Sequence, residues 1–201
     1  IHKAIRSMIY ELGKELQTTD FTDTEAADKM IERLEHEITS ANASMCVLCM
    51  VHQHAGHEEK NVFPLLRDLE PELVDGLIQA HREILRKLMV ISSIGDGLRA
   101  ANDREEKMKI GNRLYMAAND LFAFYLTHMN NEEATLIPAL WKHFSDEQIM
   151  EIGNEIRKSI PPDLNAKWMR WMLPSLNVNE LIGMFMGMKK EMPPHALEQM
   201  S

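Results

Sequence analysis

Residues 54–64 read HAGHEEKNVFP and residues 128–138 read HMNNEEATLIP, so one pattern of residues occurs twice in the chain. In each copy a histidine is followed four positions later by a glutamate, and a proline stands six positions after that glutamate. Residues four apart lie on the same face of an α-helix. Each copy therefore predicts a helix that presents one imidazole and one carboxylate to a common point.

Helical periodicity extends outward from these two copies over nearly the whole chain. Apolar residues recur at spacings of three and four, as at Ile5, Ile9 and Leu12, which is typical of amphipathic helices. The first helix starts near His2. A capping box from Thr22 to Glu25 predicts the start of the second, which we expect to continue to about residue 67 with a weak point at residues 39–42.

Two more long helices complete the pattern. Pro71 stands where proline is tolerated, in the first turn of a third helix that we expect to fade at residues 95–97. A cap from Asn102 to Glu105 predicts a fourth helix that ends near His143. Four long helices joined by short loops predict an all-α fold, an up-down-up-down four-helix bundle.

The C-terminal quarter is predicted to be a separate part of the architecture. We expect the bundle over residues 1–145 and a helical C-terminal extension over residues 146–201. A capping box from Ser145 to Gln148 starts it, and prolines at 161–162, 174 and 193–194 are expected to divide it into short helices. Its Met-rich segments predict that it packs on the bundle; the alternative is a helix that binds a partner protein.

The composition of the chain argues against several classes of function. The chain has 201 residues, a net charge of -9 and 45% hydrophobic residues, which is typical of a soluble globular protein. The acidic balance argues against a nucleic-acid partner. The longest apolar run, residues 45–51, is too short to span a membrane, and residues 1–20 show no signal-peptide pattern. Two cysteines, Cys46 and Cys49, favour a reducing, cytoplasmic compartment, and we expect buried thiols there rather than a redox pair.

Six polar side chains are predicted to share one layer of the bundle. In an up-down bundle, the first and third helices begin at the end where the second and fourth finish. The residues at that depth are His2, His54, Glu58, His81, His128 and Glu132. Buried carboxylates without partners cost several kcal/mol each, and a pair of divalent metal ions would remove that cost. Imidazole and carboxylate ligands suit iron, zinc or manganese.

The doubled motif, His2 at the start of the first helix and the single His81 in the third resemble the hemerythrin-like (HHE cation-binding) domain over residues 1–145. The resemblance implies a non-haem di-iron site with four terminal histidine ligands and two bridging glutamates. The implied ligands are His2, His54, His81 and His128, with Glu58 and Glu132 as the bridges. The third helix has Leu77 and Leu85 four positions from His81, so the set is most similar to the four-His, two-Glu branch.

This resemblance implies a protein that binds oxygen, nitric oxide or peroxide for sensing, storage or a stress response. One alternative is a di-iron enzyme, namely a nitric-oxide reductase, a peroxidase or an iron-centre repair protein. Another is a metal-free helical interaction module. We expect a small molecule as partner, without nucleic acid or membrane, and leave a homodimer open.

Several residues near the motifs allow two interpretations. His57 is expected to be solvated or to act behind the ligands, and a role as fifth histidine ligand stays open. Glu59 and Glu133 either face solvent or orient a ligand histidine. Tyr125 is expected to pack in the core, with hydrogen bonding to a bound ligand as the alternative. His36 is expected to be partly exposed and not a ligand, and the remaining histidines are expected at the surface: His52, His143 and His195.

Overall fold

The computed structural model describes residues 1–35 and 47–191, and in this part of the chain it contains helices and no strand. The helices are α1 (His2–Thr18), α2 (Thr24–Glu35), α3 (Val47–Asn61), α4 (Phe63–Leu66), α5 (Pro71–Ala100), α6 (Arg104–His143), α7 (Asp146–Ser159), α8 (Pro162–Ser175) and α9 (Val178–Glu191). The predicted weak point at residues 39–42, His36, Cys46, the break at residues 193–194 and His195 lie outside the described residues.

The predicted all-α, four-helix bundle is confirmed. Its first limb is α1, its second is formed by α2 and α3, and its third and fourth are α5 and α6. Helices α5 and α6 pack together along much of their length, α1 packs against α3 and α6, and α2 packs against α5. The extension consists of α7, α8 and α9, of which α8 packs on α1.

Two apolar cores fill the bundle, with polar side chains between them. On α5 the smaller core ends at Leu77 and the larger begins at Ile84, and His81 lies between them. On α6 the larger core ends at Met129 and the smaller begins at Leu136. The polar layer is therefore enclosed by apolar packing on both sides along the helix axes.

Two predicted helix caps differ from the observed ones. The α2 cap is Asp23, whose Oδ1 accepts a hydrogen bond from the Ala26 backbone N–H at 3.1 Å. Thr22 instead donates its hydroxyl to Asp20 in the preceding turn, at 2.7 Å. The α6 cap is Asp103 rather than Asn102. An aspartate stands next to the predicted cap in both places, and its carboxylate accepts the helical N–H groups at least as well as the neighbouring side chain.

Three predicted helix ends also need correction. The second limb was expected to run to about residue 67 with its weak point at residues 39–42, but α3 ends at Asn61 and Pro64 lies in the first turn of the short α4. Helix α5 continues through residues 95–97 to Ala100. Pro174 lies inside α8, and the chain turns at residues 176–177. By contrast, the capping box from Ser145 to Gln148 is present as predicted.

The extension shares contacts with the bundle. Trp168 of α8 is 6% exposed and belongs to the larger apolar core. The Lys3 ammonium on α1 pairs with Glu180 on α9 at 2.6 Å. The division of the chain at residue 145 stays a prediction. Among the described residues, no helix is both long enough and apolar enough to cross a membrane.

Candidate metal centre

All six predicted site residues come together in the polar layer. Helix α1 contributes one of them at its first turn, α3 and α6 contribute a His/Glu pair each, and α5 contributes one histidine. Five of the six are buried and the sixth is half-buried. They form two groups that share one carboxylate: His2, His54, Glu58 and Glu132 in the first, and His81, His128 and Glu132 in the second.

The first group converges on one point between α1 and α3. The Nε2 atoms of His2 and His54 lie 2.7 Å apart. His2 Nε2 is 3.3 Å from Glu132 Oε2, and His54 Nε2 is 3.6 Å from Glu58 Oε1. Two imidazole nitrogens therefore face one oxygen of each carboxylate.

The second group uses the other oxygen of each carboxylate. His81 Nε2 is 3.5 Å from Glu58 Oε2 and 3.5 Å from Glu132 Oε1. His128 Nε2 is 3.0 Å from Glu132 Oε1. Glu58 and Glu132 thus each direct one oxygen towards each pair of histidines, so each carboxylate could contact a metal ion on either side.

Several polar atoms of the cluster have no hydrogen-bond partner. These buried atoms are Glu58 Oε2, both carboxylate oxygens of Glu132 and His81 Nε2. Buried polar atoms are normally paired, because an unpaired one costs about 1–3 kcal/mol or more. Such a set of unpaired oxygen and nitrogen atoms, pointing at one another, fits the ligand shell of metal ions.

Burial and the neighbouring charges shift the pKa of each group in the metal-free cluster. Burial raises the pKa of the Glu58 carboxyl to about 7, with Glu132 adding to the shift. Burial lowers the pKa of the His81 imidazole, but the neighbouring carboxylates of Glu132, Glu58 and Glu59 outweigh burial and raise that pKa to about 10. Without metal, His81 therefore holds a proton near neutral pH and Glu58 holds one in part of the molecules, and a metal ion would displace both.

The pKa values of Glu132 and His54 are both lowered. Burial raises the pKa of Glu132, but the neighbouring imidazoles of His128, His2 and His81 outweigh burial and leave that pKa well below its usual range. Burial together with the charge on His2 lowers the pKa of His54 to about 3. Glu132 is therefore ionised and His54 neutral at neutral pH, and both are ready to bind a cation.

Two glutamates outside the cluster orient its histidines. His81 Nδ1 is 2.8 Å from Glu59 Oε1, and His2 Nδ1 is 2.8 Å from Glu133 Oε1. An Nδ1–H that donates to a carboxylate leaves Nε2 free to face a metal ion. Of the two interpretations of Glu59 and Glu133, the structure favours the orienting role.

Arg6 is a participant that the sequence interpretation missed. Its guanidinium donates to Glu133 Oε1 at 2.8 Å and to Asn130 Oδ1 at 2.8 Å. Arg6 stands four residues after His2 on α1, and that spacing placed both side chains on one helix face. The pKa of Glu133 is lowered by Arg6, and next by His2.

The other histidines among the described residues lie apart from the two groups. His57 is half-buried, and its ring centroid is 6.0 Å from that of Trp168. His52 is exposed, as predicted. His143 is half-buried, which corrects its predicted surface position, because its Nε2 lies 2.8 Å from Glu70 Oε1. Tyr125 is 2% exposed, as expected for core packing, with its ring centroid 5.6 Å from that of His128.

The fold and the cluster together define a metal-binding helical bundle. A family model, the Hemerythrin HHE cation binding domain, matches residues 1–140. The chain belongs to this family. No curated protein and no solved structure matched the sequence.

Proposed function

We propose that this chain is a non-haem di-iron protein whose six clustered side chains hold two iron ions. The observation that carries the proposal is the division of each carboxylate between the two histidine pairs. Glu58 has its oxygens 3.6 Å from His54 and 3.5 Å from His81. Glu132 has its oxygens 3.3 Å from His2 and 3.0 Å from His128.

The donor set of four imidazoles and two carboxylates suits iron, zinc and manganese alike. We propose iron because the family implies a non-haem di-iron site, with zinc or manganese as substitutes. When bound, a pair of ferrous ions would supply redox chemistry and open coordination positions for oxygen, nitric oxide or peroxide, which the side chains alone do not supply. The family implies this ligand class.

The residues of the chain itself shape the surroundings of the cluster. The Phe63 ring stacks on His81 with centroids 5.4 Å apart. Tyr125 and Met129 on α6 are buried beside His128. These apolar neighbours exclude bulk water, which strengthens the electrostatic interactions within the cluster. Glu59 and Glu133 hold the tautomers of His81 and His2.

We propose sensing, storage or a stress response in the cytoplasm as the role, with a small molecule as the partner. The enzyme alternative requires sustained consumption of nitric oxide or peroxide with an added reductant. The binding role requires a reversible change of the absorption spectrum without turnover. The consumption of nitric oxide or peroxide and the change of the absorption spectrum are measured on the same anaerobically purified protein.

Elemental analysis of anaerobically purified protein tests the metal centre. We expect about two iron ions per chain, since two groups of ligands share the cluster. Glu132→Ala should lose most of the iron, because both groups need this carboxylate. Glu105→Ala, at an exposed position on α6, is the matched control and should keep the iron. Full iron content in Glu132→Ala would contradict the proposal.

A further inference from the structure

A cavity of about 830 Å³ lies between the bundle and the three C-terminal helices. Its lining comes from α3 and α6 on one side and from α7, α8 and α9 on the other. His54 and Glu58, both buried, line its inner part. Small-molecule sites in proteins have this size. The cavity is far larger than a diatomic ligand needs, so its volume calls for an organic molecule.

Apolar side chains form most of the walls. Leu136 and Leu140 come from α6, and Trp168, Met169 and Met172 come from α8. Methionine side chains are flexible and polarisable, so such walls adapt to the shape of a ligand. Each methylene group that moves from water onto these walls tightens binding about three- to fourfold. The walls therefore favour a ligand with an extended apolar body.

The charged residues that line the cavity differ in exposure. Glu58 is buried, whereas Arg157 and Lys158 are exposed to solvent. Lys158 Nζ pairs with Glu155 Oε1 at 2.7 Å, and Arg157 donates to Asn154. Pairs at such exposed positions are weak, so an incoming anion can share these cations at low cost. An anionic head group is thus attracted to these exposed cations.

We propose that this cavity binds an amphiphilic carboxylate of the medium-chain fatty-acid type. Its apolar chain lies against the walls from α6 and α8, and its carboxylate lies beside Arg157 and Lys158. The far end of the chain then approaches His54 and Glu58, so an occupied cavity restricts access to the cluster from this side. The inference goes beyond the proposed function, because it requires no metal ion in the cluster.

Calorimetric titration of dodecanoate into the purified full chain tests the proposal. We expect saturable binding of one molecule per chain. Decanoate, shorter by two methylenes, should bind about tenfold more weakly. Dodecanol has the same chain without the charge and should bind about three- to tenfold more weakly than dodecanoate, the range expected from exposed charge pairs.

A cavity-filling variant separates this site from adventitious binding elsewhere. Gly187 of α9 lines the cavity, and a Cβ added there would meet no atom within 4 Å. Gly187→Leu therefore fills space without a clash at Cβ, and it raises helix propensity, so the fold should be retained. The matched control is Gly153→Leu on α7, where an added Cβ also meets nothing within 4 Å and which does not line the cavity.

Gly187→Leu should weaken dodecanoate binding by about tenfold or more, because overpacking a filled site is costly, while Gly153→Leu binds as the wild type does. The double variant Arg157→Gln/Lys158→Gln should bind dodecanoate only as tightly as the wild type binds dodecanol.

Three results would overturn the proposal: no dodecanoate binding by the wild type, unchanged binding by Gly187→Leu, or conversion of a dimer to a monomer by Gly187→Leu, which would assign the cavity to a second copy of the chain. Iron content, measured separately, distinguishes these failures from failure of the di-iron centre.

Discussion

Glu58 and Glu132 occupy equivalent places in the two copies of the motif, yet their acidities differ. Burial dominates at Glu58 and raises the pKa of its carboxyl to about 7. At Glu132, three neighbouring histidines outweigh burial and lower the pKa. In the metal-free cluster Glu132 is thus ionised near neutral pH while Glu58 is only partly ionised, which limits the charge that the buried layer must carry.

Replacing Glu58 tests this assignment in protein stripped of metal by a chelator. Because its pKa is about 4.5 unfolded and about 7 folded, the favourable contribution of Glu58 is complete below pH 4.5 and is lost as the pH rises through 7. Relative to the wild type, Glu58→Gln should therefore gain about 2–3 kcal/mol in free energy of unfolding between pH 4.5 and pH 7.5. Urea unfolding at both pH values measures the gain. A stability difference that is constant with pH would contradict the raised pKa.

The orienting glutamates give a second prediction at this scale. Glu133→Gln and Glu59→Gln should keep all six candidate ligands but lower metal affinity about 10- to 100-fold, as expected when the partner of a ligand histidine is weakened. Competition with a chromogenic chelator measures the affinity. Glu83→Gln on α5, whose carboxylate pairs with Arg86 at 2.6 Å instead of with a histidine, is the control and should leave affinity unchanged. Equal affinities in all three variants would leave Glu59 and Glu133 without an orienting role.

A spacing of four was enough to pair His54 with Glu58 and His128 with Glu132, because residues four apart share a helix face. His2 and His81 were added by their depth in the predicted bundle. The hydrogen bond between His2 and Glu133 joins two residues that are 131 positions apart in the chain. No local sequence pattern predicts a contact over such a separation. The half-buried state of His143 depends in the same way on Glu70, which belongs to another part of the chain.

At the scale of elements, the two copies of the motif end differently. Pro64 lies in the first turn of the short helix α4, after α3 stops at Asn61, whereas Pro138 lies inside the unbroken α6. A proline in the first turn is tolerated, but Pro138 removes a hydrogen bond from α6 and crowds its preceding turn. The packing around each copy therefore determines whether the helix continues. Helix existence was therefore predictable from periodicity, but helix ends were not.

The close approach of α6 to the loop between α1 and α2 depends on Gly111, which gives a testable prediction. A Cβ added there would lie 2.3 Å from Phe21 Cβ in the loop between α1 and α2. The nearest atom belongs to the rigid base of the phenylalanine side chain, so Gly111→Ala should destabilise the protein by about 1–3 kcal/mol. Gly13→Ala, at a helical position of α1 with nothing within 4 Å, should instead stabilise by about 0.5–1 kcal/mol. Urea unfolding of both variants measures the difference, and destabilisation of equal size would contradict the contact with Phe21.

For the whole molecule, a polar layer between two apolar cores makes stability depend on what the layer binds. A ligand that binds only the folded state stabilises it by about 2.7 kcal/mol at a hundredfold excess over its dissociation constant. Chelation of the metal should therefore lower the melting temperature by about 5–10 °C for a chain of this length. His54→Ala should melt at nearly the same temperature with and without iron. If iron raised the melting temperatures of the wild type and of His54→Ala by the same amount, His54 would be excluded as a ligand.

The extension and the bundle are expected to unfold as one unit, because Trp168 of α8 lies in the same apolar core as α1, α5 and α6. Trp168 is 6% exposed, whereas Trp141 at the end of α6 is 66% exposed. Trp168→Ala should therefore lower the free energy of unfolding by about 3–5 kcal/mol, the usual cost of removing a buried tryptophan, and Trp141→Ala should change it by less than about 0.5 kcal/mol. Calorimetry should record one transition that shifts down as a whole in Trp168→Ala. A separate early transition in that variant, with the main one unmoved, would mean that α7, α8 and α9 unfold independently of the bundle.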